Sequence, residues 1–543
     1  MKIIIVGGVA AGTKVAAKLK REAPDADVTI ITKSSDISYA GCGLPYYVSG
    51  VIADRSKLFV NTPESFSALT GARVITNTEV TGLDRAEKKV TAKSPDGQIA
   101  EYEYDKLVLA VGASPIAPSC PGINLENIFY LGAPSDADAL KAVLDSGEVK
   151  RAVIVGAGLI GLEAAENISA KGVRTTVIDI APHILPNLLD SEMADYVEGI
   201  LADEGVMPFT GVGLTGFTGE GKLEKVETTK RAMKADIAVL ALGFRPNTAF
   251  LADSGLEMIK GTLVVDGNMR TNDPDIYACG DCAIVTNRIT GARRWSAMGS
   301  TANICGRLAA KSIAGKDILP YPGVLGTAVA RLPGINIGRT GLGEKEARDA
   351  GFDVETVIAV SDDKAHYYPG SNPFIMKLIC DKASHKLLGI QVLGKGAVDK
   401  ITDIAVTAIS LGACLEDLQY CDYAYAPPFS TAIHPFETAV NIMLNKLCGD
   451  YVTMTPAEFN DGKAEGWRII DTSQIPALNG ETYVDLTQVN GDVPGLGKDE
   501  KLLLVCNKGR RAYMLQNRLK HFGYTNTKVL EGGTTFNRSL LED

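Results

Sequence analysis

Twice along these 543 residues a run of β-branched and apolar residues stops at a glycine and a helix-forming stretch begins. That order leaves few folds open, because the turn brings backbone N–H groups and a helix N-terminus to one point where an anion can be held. The complete case is Arg151-Ala152-Val153-Ile154-Val155 followed by Gly156-Ala157-Gly158-Leu159-Ile160-Gly161, with a helix expected over Leu162–Lys171. Asp179 closes the next strand, Thr175–Ile178. It stands about 20 residues on, the distance at which a carboxylate meets a ribose 2′-hydroxyl. A carboxylate there repels a 2′-phosphate, so NADH is expected over NADPH, with Gly156, Gly158, Gly161 and Asp179 as its contacts.

The first case is Lys2–Val6, then Gly7-Gly8-Val9-Ala10-Ala11-Gly12 and a helix to about Glu22. Gly7, Gly8 and Gly12 supply the cradle, although Val9 stands at the third position of G-x-G-x-x-G. The second strand, Val28–Ile31, ends in Thr32-Lys33, where an acidic residue would hold the ribose, so that contact is unassigned. Further apolar runs end in glycine at Leu107–Gly112 and Ala238–Gly243, and Asp275-Ile276-Tyr277-Ala278-Cys279-Gly280 leads into Asp281. Two dinucleotide-binding units on one chain follow, one nested in the other.

Length predicts three or four domains. A net charge of −10 argues against nucleic acid as a partner and leaves any anionic ligand to local basic patches. No apolar run approaches the ~18 residues of a membrane span. Met1–Val6 reads as a buried first strand instead of a leader, and ten scattered cysteines do not make a disulfide framework, so the cytoplasm is the expected location.

Between the first unit's strands lies Ser38-Tyr39-Ala40-Gly41-Cys42-Gly43-Leu44-Pro45-Tyr46-Tyr47. Flanking glycines let the backbone approach a flat ligand, and a cysteine there is either a buried filler or a thiolate nucleophile. On the first helix Lys14, Lys18 and Arg21 share one face, which is either solvated or a phosphate site. Cys279 and Cys282 read as small residues beside a cofactor, and no metal site is expected. Beyond residue 325 come strands Phe374–Cys380 and Leu387–Val392 and a helix Val398–Leu411, with Tyr367, Tyr368, Tyr423 and Tyr425 near Pro369 and Pro427-Pro428. Residues 449–464 are polar and read as a linker. After strands Trp467–Asp471 and Lys501–Val505 comes Cys506-Asn507-Lys508-Gly509-Arg510-Arg511 and a helix from Ala512. A cysteine opening such a turn gains backbone N–H groups and positive potential, both of which favour its thiolate.

Residues 1–447 resemble the single-cysteine branch of the pyridine nucleotide-disulfide reductases, the coenzyme A-disulfide reductases, through the Ser38–Tyr46 signature and the Gly280-Asp281 pair. Residues 465–543 are similar to a rhodanese domain through Cys506-Asn507-Lys508-Gly509-Arg510-Arg511 and Glu531-Gly532-Gly533. Gly41 replaces a common Asn, Asp471-Thr472-Ser473 replaces Asp-x-Arg, and no His-x-Pro-Gly precedes Cys506. The resemblance implies an α/β chain with two nested Rossmann-like domains, an α+β dimerisation domain and a C-terminal α/β rhodanese domain. Residues 1–115 plus 245–322 would bind FAD, 116–244 NADH, 323–448 would dimerise, and 465–543 would be the rhodanese.

It further implies an NADH-dependent flavoenzyme that reduces CoA disulfide, CoA persulfide or polysulfide at Cys42 through a mixed disulfide with coenzyme A. Gly7, Gly8, Gly12, Gly112 and Asp281 would hold FAD. Tyr367 and Tyr425, one or both from a second subunit of a homodimer, would donate to the leaving thiolate. Lys14, Lys18, Arg21 and Ser38 would meet coenzyme A, and Lys508, Gly509, Arg510 and Arg511 would shape the Cys506 loop. Two rival readings are an NADH peroxidase or oxidase that cycles Cys42 through a sulfenic acid, and a non-enzymatic persulfide sensor.

Overall fold

The structure, a computed structural model, describes residues 1–541. The last two residues assigned above to the C-terminal domain, 542 and 543, lie outside the described residues. The chain divides into two compact units, Met1–Pro182 with Gly205–Val324, and His183–Glu204 with Leu325–Asp543.

In the first unit, strands that read as continuous apolar runs lie parallel and are covered on both faces, as parallel sheets require. One five-stranded sheet has the order Ile276–Ala278, Lys106–Leu109, Lys2–Val6, Asp27–Ile31, Arg73–Ile75, with Ile3 and Ile5 fully buried. The second has the order Val206–Phe209, Arg174–Ile178, Arg151–Val155, Ile237–Leu240, Ile128–Phe129, again all parallel. The first helix, Ala10–Glu22, presses Val15, Ala16 and Leu19 onto its sheet. The second glycine turn's helix begins at Leu159 and ends at Ser169, three residues earlier than expected at its start, because Gly158 in the turn itself is the N-cap.

In the second unit a five-stranded antiparallel sheet runs Ala328–Leu332, Ile335–Gly341, Leu387–Gly394, Pro373–Asp381, Val354–Asp362. Helix Pro435–Leu447 lies on strand Val354–Asp362. The fully buried Lys377 on this sheet meets Asp190 at 2.7 Å and Glu344 at 2.8 Å, and also Glu192, so the acidic cluster is organised around its ammonium.

The C-terminal domain is a parallel sheet ordered Thr453–Met454, Thr527–Leu530, Leu502–Val505, Arg468–Asp471, Thr482–Tyr483. Its edge strand and the helix Pro456–Asn460 come from residues 449–464, which are therefore part of this domain and not a linker. Two residues are too few to show an alternating pattern, but the capping box Thr455 with Glu458 was a readable helix start.

One carboxylate joins this domain to the antiparallel sheet. Glu531 is fully buried and accepts from Lys446 Nζ at 2.7 Å, from Thr453 Oγ1 at 2.7 Å and from the Ile358 amide at 2.8 Å. Burial draws the Lys446 ammonium down, but the carboxylates of Glu531 and Glu355 outweigh it and raise its pKa. Lys508 Nζ to Asp362 at 2.6 Å, a stacked Tyr196–Phe536 pair at 5.3 Å and Arg538 to Asp203 at 2.6 Å add further ties within this unit.

Lys446→Met leaves Glu531 buried without its cation, a loss of about 3–5 kcal/mol. Thermal unfolding should therefore begin at a clearly lower temperature. Lys463→Met, which breaks an exposed pair with Glu458 at 3.4 Å, should shift it little. Equal shifts in the two variants would show that Glu531 does not need Lys446.

Candidate active site

The two glycine turns are built alike. A Cβ on Gly7 (φ +110°) would overlap the Ala110 carbonyl, and one on Gly156 (φ +112°) would overlap that of Ala241. A Cβ on Gly12 would strike the carbonyl of Gly7, and one on Gly161 that of Gly156. Both helices therefore start tight against their strands. Neither N-terminus is capped by a side chain, since Val9 and Gly158 make no such bond. Open amides at a helix start are where a phosphate group is held. Gly158 has open space where a side chain would stand.

Asp179 lies at this second turn, each oxygen accepting from one backbone amide: Ala157 at 2.7 Å and Ala181 at 2.8 Å. A carboxylate has acceptor capacity beyond two bonds, so it can still take a ribose hydroxyl. Asp281 follows Gly280 (φ +79°), whose added Cβ would stand 3.0 Å from Ala11 at the first helix. Burial pushes its carboxyl up, and no described side chain offers it a donor. A half-buried acceptor of this kind fits a ligand that carries hydroxyls. Gly112 adopts φ +64° at the end of its strand. Taken together, the turns and Asp281 fit a bound dinucleotide.

Cys42 sits in the single turn Gly41–Gly43, which runs directly into helix Leu44–Ser49, and it is exposed. Ser38, in the left-handed region at φ 52°, donates its amide to the Gly8 carbonyl at 2.9 Å, so the cysteine segment is anchored to the first glycine turn. Gly43 is demanded by Leu58, 3.0 Å from where its Cβ would be, whereas Gly41 faces open space. Burial pushes the Cys42 thiol up, and the carboxylates of Glu163 and Asp281 add to it. Glu163 was not among the expected site residues. It lies on the helix that follows the second glycine turn, two residues past Gly161, and helix Leu44–Ser49 packs against that helix. Burial, helped by Glu166, raises its own pKa to about 7. The signal was present in the sequence, an acid on a helix otherwise rich in apolar residues.

Other expected residues are placed less simply. Lys18 forms an ion pair with Glu22 one helical turn on, so the basic face of Lys14, Lys18 and Arg21 is partly neutralised. Gly306 of helix Gly299–Ile313 packs so close that an added Cβ would be 3.2 Å from Lys14. Cys279 and Cys282 are fully buried core residues. Tyr367 and Tyr425 are 66% and 48% exposed, with their oxygens 3.5 Å apart.

In the C-terminal domain Cys506 is buried, and the Ala512 amide points to its sulfur at 3.4 Å. Gly509 (φ +84°) caps helix Arg510–His521. An added Cβ on Gly533 would overlap the Cys506 carbonyl, which accepts the Thr534 amide at 3.1 Å. Lys508 is spent on Asp362, and Arg511 on the Thr472 carbonyl at 2.8 Å and on Asp485 at 3.6 Å, while Arg510 is exposed.

Residues 1–302 match the family description pyridine nucleotide-disulphide oxidoreductase, and residues 332–435 match its dimerisation domain. The chain belongs to the pyridine nucleotide-disulphide oxidoreductases. As a member it is an oxidoreductase that uses FAD and NAD(P)H. It is 34% identical over 443 residues to a protein of Pyrococcus horikoshii named NAD(P)H coenzyme A polysulfide/persulfide reductase, covering 81% of this chain and 98% of that one. It is 32% identical over 447 residues to a Methanocaldococcus jannaschii protein named NADH oxidase, covering 82% of this chain and 99% of that one. The solved structure of a NAD-dependent persulfide reductase from A. fulgidus matches with a TM-score of 0.94 at 33% identity, over 99% of this chain and 100% of that chain. Among the described residues no helix is long and apolar enough to cross a membrane.

Above pH 7 the Glu163 carboxylate is charged and opposes ionisation of Cys42. Glu163→Gln should therefore move the pH profile of Cys42 alkylation, followed by mass spectrometry of its peptide, to lower pH. An unmoved profile would place Glu163 outside the thiol's reach.

Proposed function

We propose that the chain is an NADH-dependent flavoprotein that reduces sulfane sulfur, as CoA persulfide, polysulfide or CoA disulfide, at Cys42. The observation that carries this reading is an exposed cysteine set between two glycine cradles, with the next cysteine in sequence only at position 120. A thiol without a neighbouring partner must take its second sulfur from the substrate. The names of the Pyrococcus and A. fulgidus proteins support the sulfur chemistry. The Methanocaldococcus name keeps a second reading open, in which Cys42 passes through a sulfenic acid. The C-terminal cysteine domain favours the first.

In this reading Gly7, Gly8, Gly12, Gly112 and Asp281 hold FAD, and Gly156, Gly158, Gly161 and Asp179 hold NADH. The Cys42 thiolate attacks the CoA-bearing sulfur of CoA persulfide, expels hydrosulfide and becomes a mixed disulfide with coenzyme A. When bound, FAD would supply the electron pair, drawn from NADH, for cleavage of this disulfide. Cys42 returns to the thiolate and the CoA thiol leaves with a proton. The chain acts as a homodimer, with Tyr367 and Tyr425 donating to the leaving sulfur, and Lys14, Arg21 and Ser38 facing coenzyme A. Lys18 contributes less because Glu22 already holds it. The C-terminal domain is a rhodanese in which Cys506 carries sulfane sulfur.

Cys42→Ser should retain bound FAD and lose NADH-dependent turnover of CoA persulfide, since serine forms no mixed disulfide. Turnover at the parent rate would overturn the reading. Asp179 should favour NADH over NADPH by at least about tenfold in kcat/KM, or 1.4 kcal/mol. Comparable values would remove Asp179 from the ribose.

A further inference from the structure

The Cys506 loop borders hydroxyls that no described residue uses. Tyr451, in the segment just before the edge strand Thr453–Met454, is 6% exposed, and no described residue bonds to its hydroxyl. That oxygen lies 3.6 Å from where a Cβ would stand on Gly509, at the turn that opens the helix over Cys506. Its ring is held edge-on by Tyr513 at 5.2 Å. Burial raises the phenol well above its usual range, and Glu531, Cys506 and Tyr513 raise it further, so it is a donor and not a phenolate. Among the described residues Thr472 Oγ1 is buried without a partner. It follows Asp471, which pairs in register with Val505, the residue before Cys506. Buried donors without partners are disfavoured unless something else completes them.

We propose that the Tyr451 hydroxyl donates a hydrogen bond to the outer sulfur of a persulfide carried on Cys506. The inference rests on the reading of Cys506 as a sulfane-sulfur carrier. In the transfer, the Cys506 thiolate attacks the outer sulfur of an organic persulfide, R–S–SH. The donor's S–S bond breaks as the Cys506 S–S bond forms. The R–S sulfur leaves with the bonding pair and takes the proton, and the negative charge remains on the new outer sulfur, with no net oxidation. That sulfur is the atom Tyr451 meets. Lys508 and Arg511 are already committed to Asp362, Asp485 and Thr472, so neutral donors are what this side of the loop offers.

The test uses the full-length holoprotein carrying Cys42→Ser, so that sulfur loaded on Cys506 is not reduced. Glutathione persulfide is the donor, and the mass of the Cys506 peptide reports loading. Tyr451→Phe should slow loading about tenfold. It should also move the pH midpoint for alkylation of the loaded persulfide upward by about one unit, with an unchanged or higher unfolding temperature. Loading at the parent rate overturns the role of Tyr451. Slower loading with an unmoved alkylation midpoint and a lower unfolding temperature also overturns it, because a structural defect would then explain the loss. If the parent itself takes up no sulfur on Cys506, the carrier reading falls and this inference with it.

Discussion

The position of Cys506 depends on a carboxylate that has nowhere else to go. Glu531 is out of water and must be satisfied inside the protein, and its partners come from both sides: Ile358 of the antiparallel sheet and Lys446 of the helix lying on it, and Thr453 of the C-terminal sheet. The residues that follow it, Gly532 and Gly533, turn onto the backbone of Cys506 and Asn507. Any shift of the C-terminal domain against strand Val354–Asp362 would leave Glu531 or Lys446 unpaired in the interior. Buried pairs of this kind add little net stability compared with a well-packed apolar contact, but they penalise every alternative arrangement heavily. The domain is therefore held in one register by a cost against misplacement, with the Lys508–Asp362 pair as a second tie from the cysteine loop itself.

The two cysteines face opposite electrostatic problems. Cys42 is exposed and flanked by Glu163 and Asp281, both of which disfavour its thiolate, so what offsets them must be supplied by bound groups. Cys506 is buried and has a backbone donor already aimed at it. A cysteine whose environment is completed only by ligands suits a step that occurs when those ligands are present. One whose environment is built from the chain suits storage of a charged sulfur in their absence.

Much of this was legible because the signals are local. A β-branched run that stops at a glycine with positive φ specifies strand, turn and helix with no reference to the rest of the chain, and Lys2–Val6 and Arg151–Val155 fall where the pattern places them. Thr453–Met454 was not legible, because a two-residue strand exists only through its partner Val529–Leu530, some 75 positions away in the chain. The neutralised basic face was readable in principle, since Glu22 stands four residues after Lys18, the spacing of a helical ion pair. Glu163 differs: an acid on an apolar helix was visible as an anomaly, but what it acts on was not, because only the fold brings it to a thiol.

The same separation governs the Cys506 loop. Its sequence, with one lysine and two arginines after the cysteine, suggests a strongly cationic cradle. Folding spends two of the three elsewhere: Lys508 fixes the loop to the antiparallel sheet, and Arg511 reaches back to the strand end that carries Thr472. A cation tied at 2.6 Å to a carboxylate contributes little net field to a neighbouring site, so the loop is less positive than its composition. Backbone amides and neutral hydroxyls such as those of Tyr451 and Thr472 then carry a larger share of recognition. Such donors match a singly charged sulfur more closely than a dianionic oxoacid, whose second charge would go unanswered on this side of the loop. The charge count of the motif thus overstates its affinity for anions, and the placement of its uncharged neighbours decides what it holds.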